Sequence, residues 1–213
     1  MTGKKNWKTN MPVYAGIDYS LTSPAICVYN AEDGDFCFDN VNAYFRSNLK
    51  RFELFEEGNL RGENHESWDS EMDRFDDIAS WALDVMVEHK VEKAFLEGYS
   101  FGSTGRVFNI AENTSILKYN MWYNYIEYEI VAPTTVKKFA TGSGNATKEK
   151  MYEAFVEENP RRDIKDVLTP RSSNIISPLN DVVDSYFILK YGIYNEEQEE
   201  KNKDKRKKRT TRS

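Results

Sequence analysis

Four carboxylates stand out by the company they keep. Asp18 directly follows Gly16-Ile17, Glu97 follows Phe95-Leu96, and Asp181 and Asp184 flank Val182-Val183. Three residues apart on a helix, the last two project from one face. Each acid alone has a plain structural use. Asp18 suits the cap of the Ser20–Ser23 turn, and Glu97 the end of a strand. Ser177 is a natural helix N-cap with Pro178 as first residue, which makes Asp181 a dipole partner and Asp184 a solvated face residue. The set is another matter. Four acids converging at partly buried positions repel unless protonated or neutralised by cations. An all-oxygen donor set suits Mg²⁺ or Mn²⁺ and not zinc. Two such ions would serve phosphodiester hydrolysis, one activating water and the other stabilising the leaving oxygen. His65 and His89 lie in an acidic loop and at a helix end, which gives imidazole chemistry little support.

Cations follow in the second half of the chain. Lys137, Lys138, Lys148 and Lys150 straddle Gly142-Ser143-Gly144, either a plain linker or a flexible phosphate-contacting arm. The segment is neither a Walker A nor a GxGxxG motif, so nucleotide hydrolysis is not indicated. Arg161, Arg162, Lys165 and Arg171 read as solvated surface, with a contact to nucleic acid as the second reading. Tyr119, Trp122, Tyr123, Tyr125 and Tyr128 fall at helical spacing that favours core or interface over base stacking.

Elements must carry these groups. Val13–Ile17 reads as a strand, residues 25–31 as a second, and the Asp33-Gly34 turn as leading into a third over 35–45. Pairing Glu32 with Asp35 sets Cys37 opposite Asn30 and Cys27 opposite Asn40, so the two cysteines stay reduced. Residues 46–67 carry no clear assignment. A helical stripe of Met72, Phe75, Ile78, Ala79, Ala82 and Met86 runs from Trp68 to His89-Lys90, followed by a buried strand at 93–97. Helices are expected over 106–124, from Pro133 to Phe139, over 148–158 and over 178–194, with a strand at 128–131 and loop at 159–177. The result is an α/β fold with a mixed five-stranded sheet, its first three strands antiparallel, flanked by helices. Ligand sites in such sheets lie at the carboxyl ends of the strands, where Asp18 and Glu97 fall.

Composition sets the frame. The chain has 213 residues, 39% hydrophobic and 14% aromatic, enough for a packed core. No apolar run approaches the roughly 20 residues of a membrane span, and residues 1–12 are too polar for a signal peptide, so a soluble cytoplasmic protein is expected. The net charge is −6, yet residues 200–213 carry +6 and the rest −12. An acidic body binds polyanions only through local basic patches, metal or that tail. Residues 1–11 read as a flexible arm, 12–195 as the folded domain and 196–213 as a disordered charged tail.

In order and spacing, "GIDYSLTSPAICVY", "AFLEGYSFGSTGR", "APTTVKKFATGSGNATKEKM" and "SPLNDVVDSYFILKYG" resemble the RuvC-type Holliday-junction resolvases of the RNase H-like superfamily, most nearly their bacteriophage-encoded branch. The resemblance covers residues 12–195. It implies an RNase H-like nuclease that resolves four-way and branched DNA by paired symmetric nicks, as a homodimer in contact through the 106–124 helix, with two Mg²⁺ per site and Mn²⁺ as substitute. It places the metal tetrad on Asp18, Glu97, Asp181 and Asp184. Lys148 is placed at the scissile phosphate, and Lys137 with Lys138 at the DNA backbone. Tyr99, Phe101 and Arg106 are placed at the junction. Family members carry an aromatic shortly after the glutamate; Ser100 stands there, with Tyr99 and Phe101 on either side. The 46–67 segment is longer than the bacterial form requires, and the basic tail has no counterpart. Other RNase H-like nucleases acting on flaps or RNA–DNA hybrid, and a noncatalytic binder of branched DNA, share the tetrad-bearing fold and are the alternatives.

Overall fold

The computed structural model describes residues 11–98 and 107–210. Tyr99, Phe101 and Arg106 lie outside them. Strands β1 (Val13–Asp18), β2 (Ala25–Asn30) and β3 (Val41–Ser47) form an antiparallel meander. Next come β4 (Phe55–Glu57), β5 (Leu60–Asn64), helix α1 (Glu71–Glu88), β6 (Lys93–Glu97), α2 (Val107–Tyr123) and β7 (Glu127–Val131). Helices α3 (Pro133–Thr141), α4 (Lys148–Glu158), α5 (Lys165–Leu168) and α6 (Leu179–Thr210) complete the fold. The sheet order is β4-β5-β3-β2-β1-β6-β7.

Strand alternation explains the layers. Ala15, Ile17, Ile26, Val28, Ala94 and Leu96 face α1 and α2, packing on Ile78, Ala82, Met86, Leu117 and Met121. The opposite face gives Ala25, Cys27, Ala43, Phe45 and Phe95 to α6, α4 and α5. Along α1, Phe75, Ile78, Ala79, Ala82 and Met86 are buried as the stripe requires, but Met72 is exposed. Ser70 caps that helix through Asp73 N at 3.1 Å. No helix among the described residues is long and apolar enough to cross a membrane.

Three expectations change. The sheet has seven strands, because 46–67 folds as a short 3₁₀ turn and the β4–β5 hairpin, with β5 parallel to β3. Phe45, Phe52 and Phe55 hold it in a T-shaped cluster with centroids 4.8 and 5.2 Å apart. The third strand starts at Val41, since 31–33 and 38–40 are 3₁₀ turns. Asn30 accepts from Glu32 N at 2.9 Å, and Phe38 turns inward to Phe155 at 4.9 Å, so the chain cannot return directly into the sheet. Cys27 therefore faces Ala43, not Asn40, and both cysteines are free. Finally, α6 starts at Leu179, after a cis Ser177-Pro178 peptide, and runs 32 residues to Thr210 in place of the irregular tail expected from 196. Glu197–Lys201 and Glu199–Lys203 pairs at 3.4 and 3.5 Å give its outer turns modest support.

Candidate metal and phosphate site

Parallel pairing of β1 with β6 places Ile17 opposite Leu96, so Asp18 and Glu97 leave adjacent strands at the same edge. Adjacent strands lie ~4.8 Å apart. By alternation both acids share the face of Gly16 and Phe95, the face covered by α6. Gly16 makes the cover possible. A Cβ there would sit 2.5 Å from the Ser185 carbonyl oxygen, closer than atoms pack, so only glycine admits the α6 backbone onto β1. Gly192 repeats the device over the Phe95 ring. One turn before Ser185, the helix delivers Asp181, and Asp184 beside it, above the carboxyl end of β1. The α6 N-terminus, with its positive dipole end, thus points toward the acids.

Burial raises all four acids, and Asp18 and Asp184 also feel the charges of others in the set. Burial pushes Asp18 well above the usual carboxylate range, and Glu97, Asp181 and Asp184 add to it, while Lys148 opposes. Burial likewise raises Glu97 against the pull of Lys137, and raises Asp181 against the Ser177 and Ser23 hydroxyls and Lys148. Asp184 is pushed up to about 7, by burial first and then by Glu97 and Asp181, with Lys137 and Lys148 working the other way. The structure thus brings together all four sequence-derived acids and two of the lysines. Lys137 reaches in from α3, and Lys148 from the first position of α4, where Thr147 is the N-cap. Lys138 is exposed and is not among the charges acting on the acids.

The donor set fits a hard divalent cation. Asp181 is 6% exposed, and Asn180 donates to its Oδ1, yet its Oδ2 is buried with no hydrogen-bond partner. A buried carboxylate oxygen left alone is costly, and a cation is the partner that removes the cost. Every available ligand is an oxygen, which suits Mg²⁺ or Mn²⁺. No three acidic, imidazole or thiol groups among the described residues are drawn together tightly enough to enclose an ion.

The chain was compared with known proteins. No protein-family model and no curated protein sequence matches it. Solved structures do. Thermus thermophilus RuvC superposes with a TM-score of 0.51 at 16% identity, over 83% of this chain and 92% of that one. T. thermophilus RuvC in complex with Holliday junction substrate gives 0.55 at 13%, over 84% and 92%. The yeast mitochondrial Holliday junction resolvase Ydc2 gives 0.52 at 14%, over 85% and 78%. The fold is that of RuvC and its structural relatives. At these identities the likeness is one of architecture, and the mixed sheet flanked by helices agrees with an RNase H-like arrangement despite two extra strands.

Around these acids, several candidates settle into structural roles. His65 Nε2 lies 2.9 Å from the Thr22 carbonyl, and His89 Nε2 lies 2.6 Å from the Tyr44 hydroxyl. Arg162 pairs with Asp39 at 3.9 Å and donates to the Glu57 carbonyl, tying the β4–β5 hairpin to the end of α4. Lys165 donates to the Ser173 carbonyl. Ser177 caps no helix; its hydroxyl meets that of Ser23 at 3.1 Å, beside Asp181. Sequence reasoning missed Ser23, Ser177 and Asn180 as the polar surround of Asp181. A Ser-Pro-Leu-Asn stretch before the acid was the available signal, but it read as a cap. The aromatic run is not core: Tyr119, Trp122, Tyr123, Tyr125 and Tyr128 are all exposed.

Proposed function

We propose that this chain is a divalent-metal-dependent endonuclease that resolves four-way and other branched DNA junctions by paired nicks. The observation that carries the reading is the meeting of four buried, raised carboxylates from β1, β6 and α6 with Lys137 and Lys148, on a RuvC-like fold. Asp18, Glu97, Asp181 and Asp184 would hold the metal ions. Two Mg²⁺ so held, or Mn²⁺ in their place, would supply an activated water and charge stabilisation at the leaving oxygen.

The protein's own groups do the positioning. Lys148 stands where negative charge accumulates on a phosphate drawn to Asp18, Asp181 and Asp184, and offsets that charge as bonds are exchanged. Lys137, on the Glu97 side, holds the strand backbone. Ser23, Ser177 and Asn180 fix Asp181 from behind. Lys138 and the segment holding Tyr99, Phe101 and Arg106 complete the proposed DNA surface.

Two symmetric nicks need two such centres, so the working unit in this reading is a two-fold dimer. On the helix expected to make that contact, Leu117 and Met121 are fully buried against α1 and belong to the core of one chain. The outward face of α2 keeps Phe108 and Trp122, 75% and 69% exposed, for the contact, with Tyr119 at 60% beside them. Incubation of end-labelled four-way junction, flap and RNA–DNA hybrid with Mg²⁺ tests the function. Paired nicks at symmetric positions in the junction are expected. Preferred cutting of flap or hybrid would favour another RNase H-like nuclease, and metal-indifferent binding without cutting would leave only a binder.

A further inference from the structure

A cavity of about 550 Å³ opens beside the acids, lined by Leu49, Arg51, Pro170, Arg171, Ile176 and Ser177, among others. Its volume is that of a small-ligand site. Topology fixes where it lies. Strand β3 runs parallel to β1, so its carboxyl end, from which Leu49 and Arg51 follow, is at the same sheet edge as Asp18. Two strand spacings, ~10 Å, separate them. The other wall ends at Ser177, whose hydroxyl contributes to the environment of Asp181.

The charge of this cavity is unlike that of the body around it. Among the described residues both ionisable groups lining it are arginines, and no acid lines it. Arg51 is pinned at the wall, donating to the carbonyls of Val167 and Leu168 and lying over the Phe52 ring at 4.1 Å. Burial, and then the like charge of Arg171, lower its affinity for its own proton. Arg171 is exposed, and among the described residues neither arginine has a carboxylate within ion-pair distance. Two guanidiniums held near each other without a counterion, in a chain whose first 199 residues carry −12, describe a site for an anion from outside. Leu49 and Ile176, 48% and 45% exposed, add apolar walls. Among the described residues nothing aromatic lines the cavity, so it offers a backbone phosphate and sugar a seat without stacking a base.

We infer that the cavity between residues 49–51 and 169–177 seats a deoxyribonucleotide of the DNA strand that runs into the carboxylate site, its phosphate held by Arg51 and Arg171. This rests on the nuclease reading above and adds to it a track for the strand. At ~3.4 Å of rise per nucleotide, ~10 Å is about three nucleotides from the reacting phosphate. Because the contacts are to phosphate and sugar, they set register and carry no sequence preference.

The test uses Arg171→Ala and Arg171→Glu, since Arg171 is exposed, with equal thermal midpoints as the check. Affinity for a fluorescent four-way junction is measured in EDTA between 50 and 200 mM salt. Arg171→Ala should bind about 3–10-fold more weakly, with the slope of log affinity against log salt reduced by about one, and Arg171→Glu more weakly still. Folded variants with wild-type affinity and slope would overturn the inference. Saturable micromolar binding of a deoxynucleoside monophosphate, lost on Arg171→Glu while junction binding stays intact, would assign the cavity to a free nucleotide and overturn it too. Metal-dependent junction cutting by the wild type judges the nuclease reading separately. Cutting together with indifferent Arg171 variants removes only the strand track, whereas a wild type that neither binds nor cuts removes both.

Discussion

Asp184→Asn should make the metal-free protein more stable, and the size of the gain follows from its surroundings. Its carboxyl is held up to about 7 by burial and by Glu97 and Asp181. A carboxyl raised in the folded state binds more protons folded than unfolded, so stability falls as pH rises from about 4 to about 7 and then levels. Against an ordinary value near 4, the ceiling on the cost is ~4 kcal/mol at pH 8 and ~1 kcal/mol at pH 4.5. Three neighbouring acids share that repulsion and can take up the proton instead, so the asparagine should recover roughly 1–2 kcal/mol at pH 8. For a chain of this size that is roughly 3–6 °C in thermal midpoint. Calorimetry in EDTA at pH 8 and pH 4.5 reads it directly, and the gap should nearly close at the lower pH. Adding Mg²⁺ at pH 8 should raise the wild type by ~2.7 kcal/mol at a hundredfold excess over its dissociation constant, and the variant by much less. Destabilisation of the variant at pH 8, with a wild type indifferent to Mg²⁺, would refute the picture of a repulsive cluster awaiting cations.

Further expectations follow from the same geometry. Lys148→Ala should lower the single-turnover cleavage rate ~100-fold with little change in junction affinity, whereas Lys137→Ala should weaken binding and reduce its salt slope by about one; wild-type behaviour in both would show the lysines misassigned. Gly16→Ala should cost ~3 kcal/mol or more, because a methyl group has no room beneath Ser185 and Leu189, and a near-normal urea midpoint would contradict the close approach of α6. Tyr119→Lys with Trp122→Glu should give a folded monomer by sedimentation, while Leu117→Glu should unfold the chain; a double variant that stays dimeric would move the contact elsewhere.

What the sequence disclosed depends on how strongly each segment is committed by its own residues. Strands β1, β2 and β6 and helices α1, α2 and α4 were legible because apolar periodicity and caps agree locally. The four acids were legible for the same reason, each abutting one of those elements. Segment 46–67 was not, since Phe55-Glu56-Glu57 is too short and charged to read as a strand. Its aromatic anchor comes from Phe45, on another strand. The third strand began late because Phe38 is claimed by Phe155 and Tyr186, side chains more than a hundred residues away. Distant partners of that kind leave no local pattern.

The carboxylate site and the core are built by the same helix, and this bears on how the site works. Along α6, Val182, Val183, Phe187, Ile188 and Leu189 are buried, while Asp181 and Asp184, in the same turns, face the acids of β1 and β6. Retreat of α6 from Asp18 would relieve the repulsion, but it would also strip those side chains from the sheet. Each buried aliphatic or aromatic residue is worth about 1.5–3 kcal/mol, so the packing outweighs the 1–2 kcal/mol expected from relaxing the acids. The repulsion is therefore held in place rather than dissipated. Protonation or a cation is left as the cheaper way to relieve it, and under the proposed nuclease reading a divalent ion would meet carboxylates already oriented by packing remote from them.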